Sequence, residues 1–580
     1  MPVKLSVTLP VGLAAALLLA SPAAAQTAPA APAAPAAPAD SAAPKPAVGG
    51  EGTATPAAAT PVLEAPRLGP LSGRDGPIAV RQPAGGALPG FSTTAPSFGV
   101  AGINTPFDLG PRSFGIRPSI GVDVLATSNL FRTRQSSRTE VVTTVAPGLD
   151  AAVDTLRLSG FLRYSPALRF YGTTWNGVDH VGEGRLVAAL LPGLFYLDVR
   201  GSASILPVTA GQIPGSGQVI DRGNTTQTYA AQVTPYVVHN FGSMASVQGG
   251  YSFQYSRQDG ADFSQAGLDG SGANYTGHRG FAVLRSGEDF GRLALQGRVD
   301  NTWYVGDGIY NGARTFITAV EARYAVLRSA AVFGEVGYEN LRFAGTSPFE
   351  IKGVIWGVGL RLTPTPESII IARYGRQSGF NSFSLNAGVA LGGRTSVFAT
   401  YREALATPLT QAQDLLGTTT TDARGDLVDS QSGAPVVLIN PFLGLSDTLF
   451  RTRLAAVSLR YQWPRDVFTL SGSWQSQDPV TSGRATTPVT SSRGAFATFS
   501  WTHEFSRVTT GQATAQYGRV TSGLAGQGYG NVYTAGTTLF HELSEQLTGS
   551  LQFAWARDAA SETNQSDTQF LIRAGLRRTF

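Results

Sequence analysis

Gln569-Phe570-Leu571-Ile572-Arg573-Ala574-Gly575-Leu576-Arg577-Arg578-Thr579-Phe580 ends the chain and shows the pattern on which its fold turns. Successive side chains of an extended strand point to opposite faces. Phe570, Ile572, Ala574, Leu576 and Phe580 therefore share one face, and Gln569, Arg573, Arg577 and Thr579 share the other. A soluble sandwich alternates in the same way, so the weight lies in repetition. Phe195, Leu197, Val199, Ala203 and Ile205 alternate with Tyr196, Asp198, Arg200, Ser202 and Ser204. Val247, Tyr251, Phe253 and Tyr255 alternate with Ser246, Gln248, Ser252 and Gln254, and Leu547, Leu551, Phe553 and Trp555 with Thr548, Ser550 and Gln552. Long two-faced strands behind an export signal predict an all-β fold, a transmembrane antiparallel β-barrel of the outer membrane.

Composition agrees. Charged residues make up 14% of the 580, against roughly 25% in ordinary soluble domains. The 69 glycines fit sheet with many tight turns, and the absence of cysteine fits an exported chain without disulfides. Mean hydropathy is 0.00. A barrel can have that value because only alternate residues meet lipid.

Lys4, the apolar run Leu13 to Leu19 and Ala23-x-Ala25 before Gln26 read as a signal peptide over residues 1–25. The run is shorter than the roughly 20 residues a membrane-spanning helix needs. Residues 26–70 are an Ala/Pro-rich linker that buries too little apolar area to fold, and 71–114 an irregular Gly/Pro-rich periplasmic segment. The barrel is expected over 115–580.

Short turns should fall on the periplasmic side and longer loops outside. Short turns are expected at Asp154, Pro192-Gly193, Asn240 to Gly242, Gly287 to Asp289, Arg328-Ser329, Pro364 to Pro366, Gly392-Gly393, Pro464-Arg465, Ser506 and Leu543 to Glu545. Longer loops lie between them, with a short exception near Ser378-Gly379. The rhythm gives about 22 strands, an even number. Alternation is blurred in Glu183 to Leu191 and in Tyr275 to Arg285. Trp303, Trp356, Trp463, Trp474, Trp501 and Trp555 are expected mostly near strand ends, where interfacial aromatic girdles form.

The polar parity places many arginines inside: Arg157, Arg163 and Arg169 in phase on one strand, then Arg200, Arg292, Arg298, Arg323, Arg361, Arg373, Arg402, Arg460, Arg573 and Arg577. Asp123, Asp198, Asp300, Glu321, Glu335 and Glu339 share that parity. Two readings stand side by side: a cationic, anion-focusing pore, or a scaffold of Arg–carboxylate pairs. No catalytic motif or phosphate-binding loop stands out, and His180, His239, His278, His503 and His541 are scattered without metal-ligand spacing. No enzyme activity, cofactor, metal or nucleic-acid partner is expected.

Two stretches carry a resemblance. The first is Thr127-Ser128-Asn129-Leu130-Phe131-Arg132 followed by Val145-Ala146-Pro147-Gly148-Leu149. The second is Asp429-x-x-Ser432-Gly433-x-Pro435, Asn440-Pro441-Phe442, Ser446-Asp447-Thr448-Leu449-Phe450, then Arg465 before Phe468-Thr469-Leu470-Ser471-Gly472. In this order the motifs resemble the β-barrel porins associated with exopolysaccharide and exosortase (PEP-CTERM) systems, with Ser128 standing where that family has an acidic residue. The resemblance spans about Gly115 to Phe580. It implies an outer-membrane channel associated with polysaccharide export and periplasmic export components as partners.

Phe580, Leu576, Ala574 and Ile572 form the expected signal for the barrel-assembly machinery, with Arg578 departing from the usual apolar choice. The loop from Ala404 to Thr448 carries Val436, Val437, Leu438, Ile439 and Phe442, too apolar a set for an exposed loop, and is expected to fold inward as a constriction or to pack on its neighbours. Three functions follow: an exopolysaccharide export channel, a general or anion-preferring porin for small solutes, and a non-conducting scaffold or receptor. Uptake through a plugged, TonB-type receptor is disfavoured by the linker-like composition of the N-terminal region. Outer-membrane lipid is the surrounding partner in every case.

Overall fold

Ser119–Thr127 of the first strand pairs antiparallel with Leu571–Thr579 of the last, so the sheet closes on itself. The computed structural model describes residues 113–580 except 130–138, 173, 208–224, 260–272, 366–367, 412–418, 422–426, 430–447, 483–490, 522–528 and 561–565. The signal peptide, the linker and nearly all of 71–114 lie outside the described residues, as do Val436, Val437, Leu438, Ile439 and Phe442.

The strands are β1 (Phe114–Thr127), β2 (Glu140–Asp154), β3 (Leu158–Tyr164), β4 (Ala167–Tyr171), β5 (Thr174–Asp179), β6 (Gly182–Leu191), β7 (Phe195–Pro207), β8 (Thr225–Phe241), β9 (Ala245–Gln258), β10 (Ala273–Ser286), β11 (Leu293–Gly306), β12 (Arg314–Leu327) and β13 (Ala330–Phe343). They continue as β14 (Phe349–Leu362), β15 (Ile369–Gln377), β16 (Phe380–Ala390), β17 (Thr395–Ala406), β18 (Thr419–Thr421), β19 (Leu427–Asp429), β20 (Thr448–Gln462), β21 (Asp466–Ser482), β22 (Ser492–Ser506), β23 (Thr509–Thr521), β24 (Tyr529–Ser544), β25 (Leu547–Ala560) and β26 (Ser566–Thr579). β3 and β4 both pair with β2 and form one stave interrupted at Ser165-Pro166, where proline lacks the donor a ladder needs. β5 and β6 likewise form one stave, pairing with β4 and β3. β18 and β19 make a separate small hairpin. Among the described residues the barrel therefore has 22 antiparallel staves. Closure pairs the backbone polar groups that an open edge would leave bare in lipid.

Every stave-to-stave connection at the end holding Phe114 and Thr579 is short, which marks the periplasmic side. Bulges at Ala189/Leu191, Ala325/Leu327, Glu504/Ser506 and Glu542/Ser544 adjoin these turns and sharpen them. The hairpin joining β15 to β16 at the opposite end is as short as expected. Ser378 and Gly379 there have φ of 57° and 80°, the paired left-handed conformation of a tight two-residue turn.

Both blurred segments are strands, β6 and β10. In β6, glycine and alanine occupy both faces, and in β10 the aromatic rings Tyr275 and Phe281 are buried while Thr276 and His278 take the alternate positions. The burial alternation makes the apolar parity the outer surface: Val354, Val358 and Leu360 of β14 are exposed while Ile355 is buried. Phe114, Phe241, Trp463, Phe505 and Phe580 form an exposed aromatic rim at the periplasmic turns. The expectation that the tryptophans sit at strand ends needs correction for Trp356, Trp474 and Trp555, which lie mid-strand. Strands of 14 to 17 residues are common here, whereas a membrane-spanning strand needs only about 9–11. The strands overshoot the bilayer, so its outer boundary falls part-way along them.

Candidate pore lining

Side chains of the buried parity project into the barrel, and there arginine meets carboxylate. At the seam Arg573 holds Asp123 in a two-point grip, Nε to Oδ2 at 2.7 Å and Nη2 to Oδ1 at 2.8 Å, with both side chains almost fully buried. Such a fork-on-carboxylate geometry is the strong form of an ion pair. Nearby, Arg577 and Arg117 approach Asp150 at 3.4 and 3.9 Å. Gln569 donates to Thr127 Oγ1 and to the Asn129 carbonyl, and the Phe570 N–H donates to Ser128 Oγ. Thr127, Ser128 and Asn129 of the first family-like motif thus fasten the seam.

The next staves continue the pairing. Arg163 meets Glu183 at 3.7 Å and Arg169 meets Asp179 at 3.0 Å. Asp198 takes a double hydrogen bond from Arg200 and lies 3.9 Å from Arg185. β8 and β9 then present uncharged groups, with Gln232 donating to Thr234 and Thr234 to Ser252. Arg279 pairs with Asp300, and Arg323 with Glu321 at 2.8 Å.

Glu335 is the hub of this wall. Arg298 reaches it at 2.9 Å from β11, and Arg373 at 3.2 Å from β15. Each lies two staves away, so each must cross an intervening strand. The crossings are made where that strand carries Ala319 and Gly357, the register partners of Arg298 and Glu335. A Cβ at Gly357 would stand 2.4 Å from Arg373 Nε, so glycine leaves the room the guanidinium uses. Glu339, fully buried, reaches the β15–β16 hairpin instead and accepts the Ser378 and Gly379 N–H groups at 2.8 and 3.0 Å.

Placement of the expected lining is therefore uneven. Arg163, Arg169, Arg200, Arg298, Arg323, Arg373, Arg573 and Arg577 lie on the inner wall beside carboxylates. Arg361, Arg402 and Arg460 share that wall on β14, β17 and β20, whose inward positions hold no Asp or Glu among the described residues. Arg157 and Arg292 correct the reading: both fall in exposed periplasmic turns, because their strands start one residue further on. Arg117, Arg185, Arg279 and Arg285 are inward arginines that pattern reading missed. Three of them, Arg185, Arg279 and Arg285, lie in the two blurred segments. Glu403 had no assigned place. It takes Arg451 and Arg453 as partners on the outward parity of β17 and β20.

At the outer end the inner wall turns apolar. Tyr275, Tyr310, Leu341, Phe343, Leu409 and Leu449 are buried in one cluster. Tyr310 belongs to the turn Gly308–Tyr310, and its hydroxyl meets that of Thr407. Thr407 caps the helical turn after β17, its Oγ1 accepting the Thr410 N–H at 3.0 Å. This turn carries Leu409 into the cluster, so the described start of the Ala404 to Thr448 loop folds against the inner wall. Thr346 donates to the Ser482 carbonyl at 2.8 Å, tying the β13–β14 loop to the end of β21 above the short hairpin.

The five histidines are dispersed: His239, His503 and His541 lie near periplasmic turns, His180 in the break between β5 and β6, and His278 within β10. His180 and His278 bond Tyr164 and Tyr251, while His503 meets Asp466 and His541 meets Thr509. No group of three or more His, Asp or Glu able to hold a metal occurs among the described residues. Nor is any described helix long and apolar enough to cross a membrane; the crossing is made by strands.

Closure, the apolar outer belt and the polar inner wall define the class: an outer-membrane β-barrel with a channel or receptor fold. No protein-family model matches the chain, and no curated protein does. Among solved structures, the siderophore receptor PirA from Acinetobacter baumannii is similar at a TM-score of 0.41 and 10% identity, over 80% of each chain. The ferric-catecholate import receptor Fiu from K12 E. coli in its closed form gives 0.41 and 10%, over 79% of this chain and 81% of that one. Pseudomonas aeruginosa OccK2 (OpdF), in complex with glucuronate, gives 0.31 and 9%, over 81% of this chain and 98% of that one.

Proposed function

We propose that this barrel conducts carbohydrate across the outer membrane, and that its cargo is an exopolysaccharide leaving the cell. The pairing of the lumenal arginines carries the reading. A guanidinium already neutralised by a carboxylate still offers N–H groups along its edge, yet it does not trap an anion as a bare charge does. With Gln232, Thr234, Ser252 and Gln254 beside them, the pairs make a wall suited to a hydroxyl-rich chain sliding past, including a weakly acidic one. Recognition of Phe580, Leu576, Ala574 and Ile572 by the assembly machinery, and docking to periplasmic polysaccharide-export components, belong to the same proposal.

A second reading rests on the make-up of the inner wall, where arginines outnumber carboxylates among the described residues. That excess favours an anion-preferring porin for small solutes. Deleting the gene separates the two. Loss of secreted polysaccharide with unchanged small-solute permeability supports export. Normal secretion with lost permeability overturns it in favour of the porin.

A further inference from the structure

Arg314 and Arg342 are direct register partners on β12 and β13, and both are exposed on the outer surface. Like charges directly opposite each other in a sheet are destabilising, so this pair calls for an anion. One strand further on, Glu350 faces Arg342 but is also held by Lys352, Nζ to Oε1 at 2.6 Å. Three cations, Arg314, Arg342 and Lys352, thus share one outward carboxylate, Glu350, among the described residues of three adjacent strands.

Their height is as telling as their charge. Arg314 stacks over the exposed Trp303, 5.3 Å from the ring centroid, and Trp303 is its register partner. Immediately toward the periplasm lie Tyr338, Val354, Trp356 and Tyr374, all exposed on the same face. The cations therefore crown the belt that acyl chains must cover, at the level where tryptophan and tyrosine meet headgroups. Adjacent strands are about 4.8 Å apart, which spreads the cluster over a headgroup-sized patch. Guanidinium groups bind phosphate oxygens in a planar two-point fashion.

We infer that Arg314, Arg342 and Lys352 form a docking site for the phosphate groups of an outer-leaflet glycolipid, with the aromatic belt below taking its acyl chains. The site faces lipid and is separate from the lumenal wall, so it stands whether or not the channel carries polysaccharide.

The test uses the full chain purified in detergent and measures the lipopolysaccharide that stays bound. The double variant R314Q/R342Q should lose bound glycolipid several-fold while keeping the heat-dependent gel mobility of a folded barrel. If that variant does not fold, R342Q/K352Q provides the same comparison. Vesicles carrying phosphorylated lipid A should bind the wild type better than vesicles carrying the dephosphorylated form. Equal retention by a folded variant, or equal binding of the two lipid forms, overturns the inference. Displacement by inorganic phosphate as effective as by the glycolipid also overturns it, by making the site one for free phosphate.

Discussion

Arg573 and Asp123 meet across the closing seam, one from the last strand and one from the first, separated by nearly the whole sequence and joined at 2.7 and 2.8 Å. Both side chains are almost fully buried. Removing one partner of such a buried pair strands the other, at a cost of about 3–5 kcal/mol. Arg573→Met should therefore lower the midpoint of denaturant unfolding in lipid vesicles, and the double variant Arg573→Met with Asp123→Leu should recover much of the loss. A single variant as stable as the wild type would show that the seam is held by backbone pairing alone.

Glu335 is the carboxylate shared by Arg298 and Arg373. Glu335→Gln adds one net positive charge to the lumen, so the reversal potential in a salt gradient across a planar bilayer should move toward anion preference. Gly357→Val should displace Arg373 without changing net charge and give a smaller shift of the same sign. Identical potentials for wild type and Glu335→Gln would mean that ions do not pass this hub.

The β15–β16 hairpin depends on Glu339. Its carboxylate takes two backbone N–H groups, and hydrogen bonds to a charged group contribute about 1.5–3 kcal/mol each. Glu339→Ala should expose the Ser378 and Gly379 amides to hydrogen exchange and destabilise the barrel by roughly 2 kcal/mol, less than two full bonds because the buried charge is removed as well. Ser378→Gly, which relieves a left-handed backbone, should act in the opposite direction by up to about 1 kcal/mol.

Leu409 anchors the described start of the long outer loop in the apolar cluster. Leu409→Ala removes buried methyl groups, typically a loss of about 2–5 kcal/mol in a packed site, enough to release that segment. Single-channel records should show larger conductance or new flicker. Unchanged records would separate the cluster from the conducting path.

Much of the architecture was legible in the chain itself. Strict two-residue periodicity fixed which face of each strand meets lipid, because a one-residue slip would turn every apolar side chain the wrong way. The turn chemistry set the even number of staves and the periplasmic position of the strand ends. Reading stopped where both faces carry small or apolar residues, as in β6 and β10, since periodicity then has no contrast to report. It also misplaced Arg157 and Arg292, because parity says which way a side chain points only while the strand continues.

Partnership was a different matter. Sequence offered two accounts of the arginines and could not choose, because Arg573 and Asp123, or Arg373 and Glu335, become neighbours only when distant strands are laid side by side. The gap at Gly357 that lets Arg373 cross a strand is a property of packing, as is the crown of Arg314, Arg342 and Lys352 above the aromatic belt. Local pattern settled the strands, since alternation is a local consequence of backbone geometry. Which charge neutralises which was decided by the closed sheet alone, because Coulomb and hydrogen-bond energies depend on distance in space and not on separation along the chain.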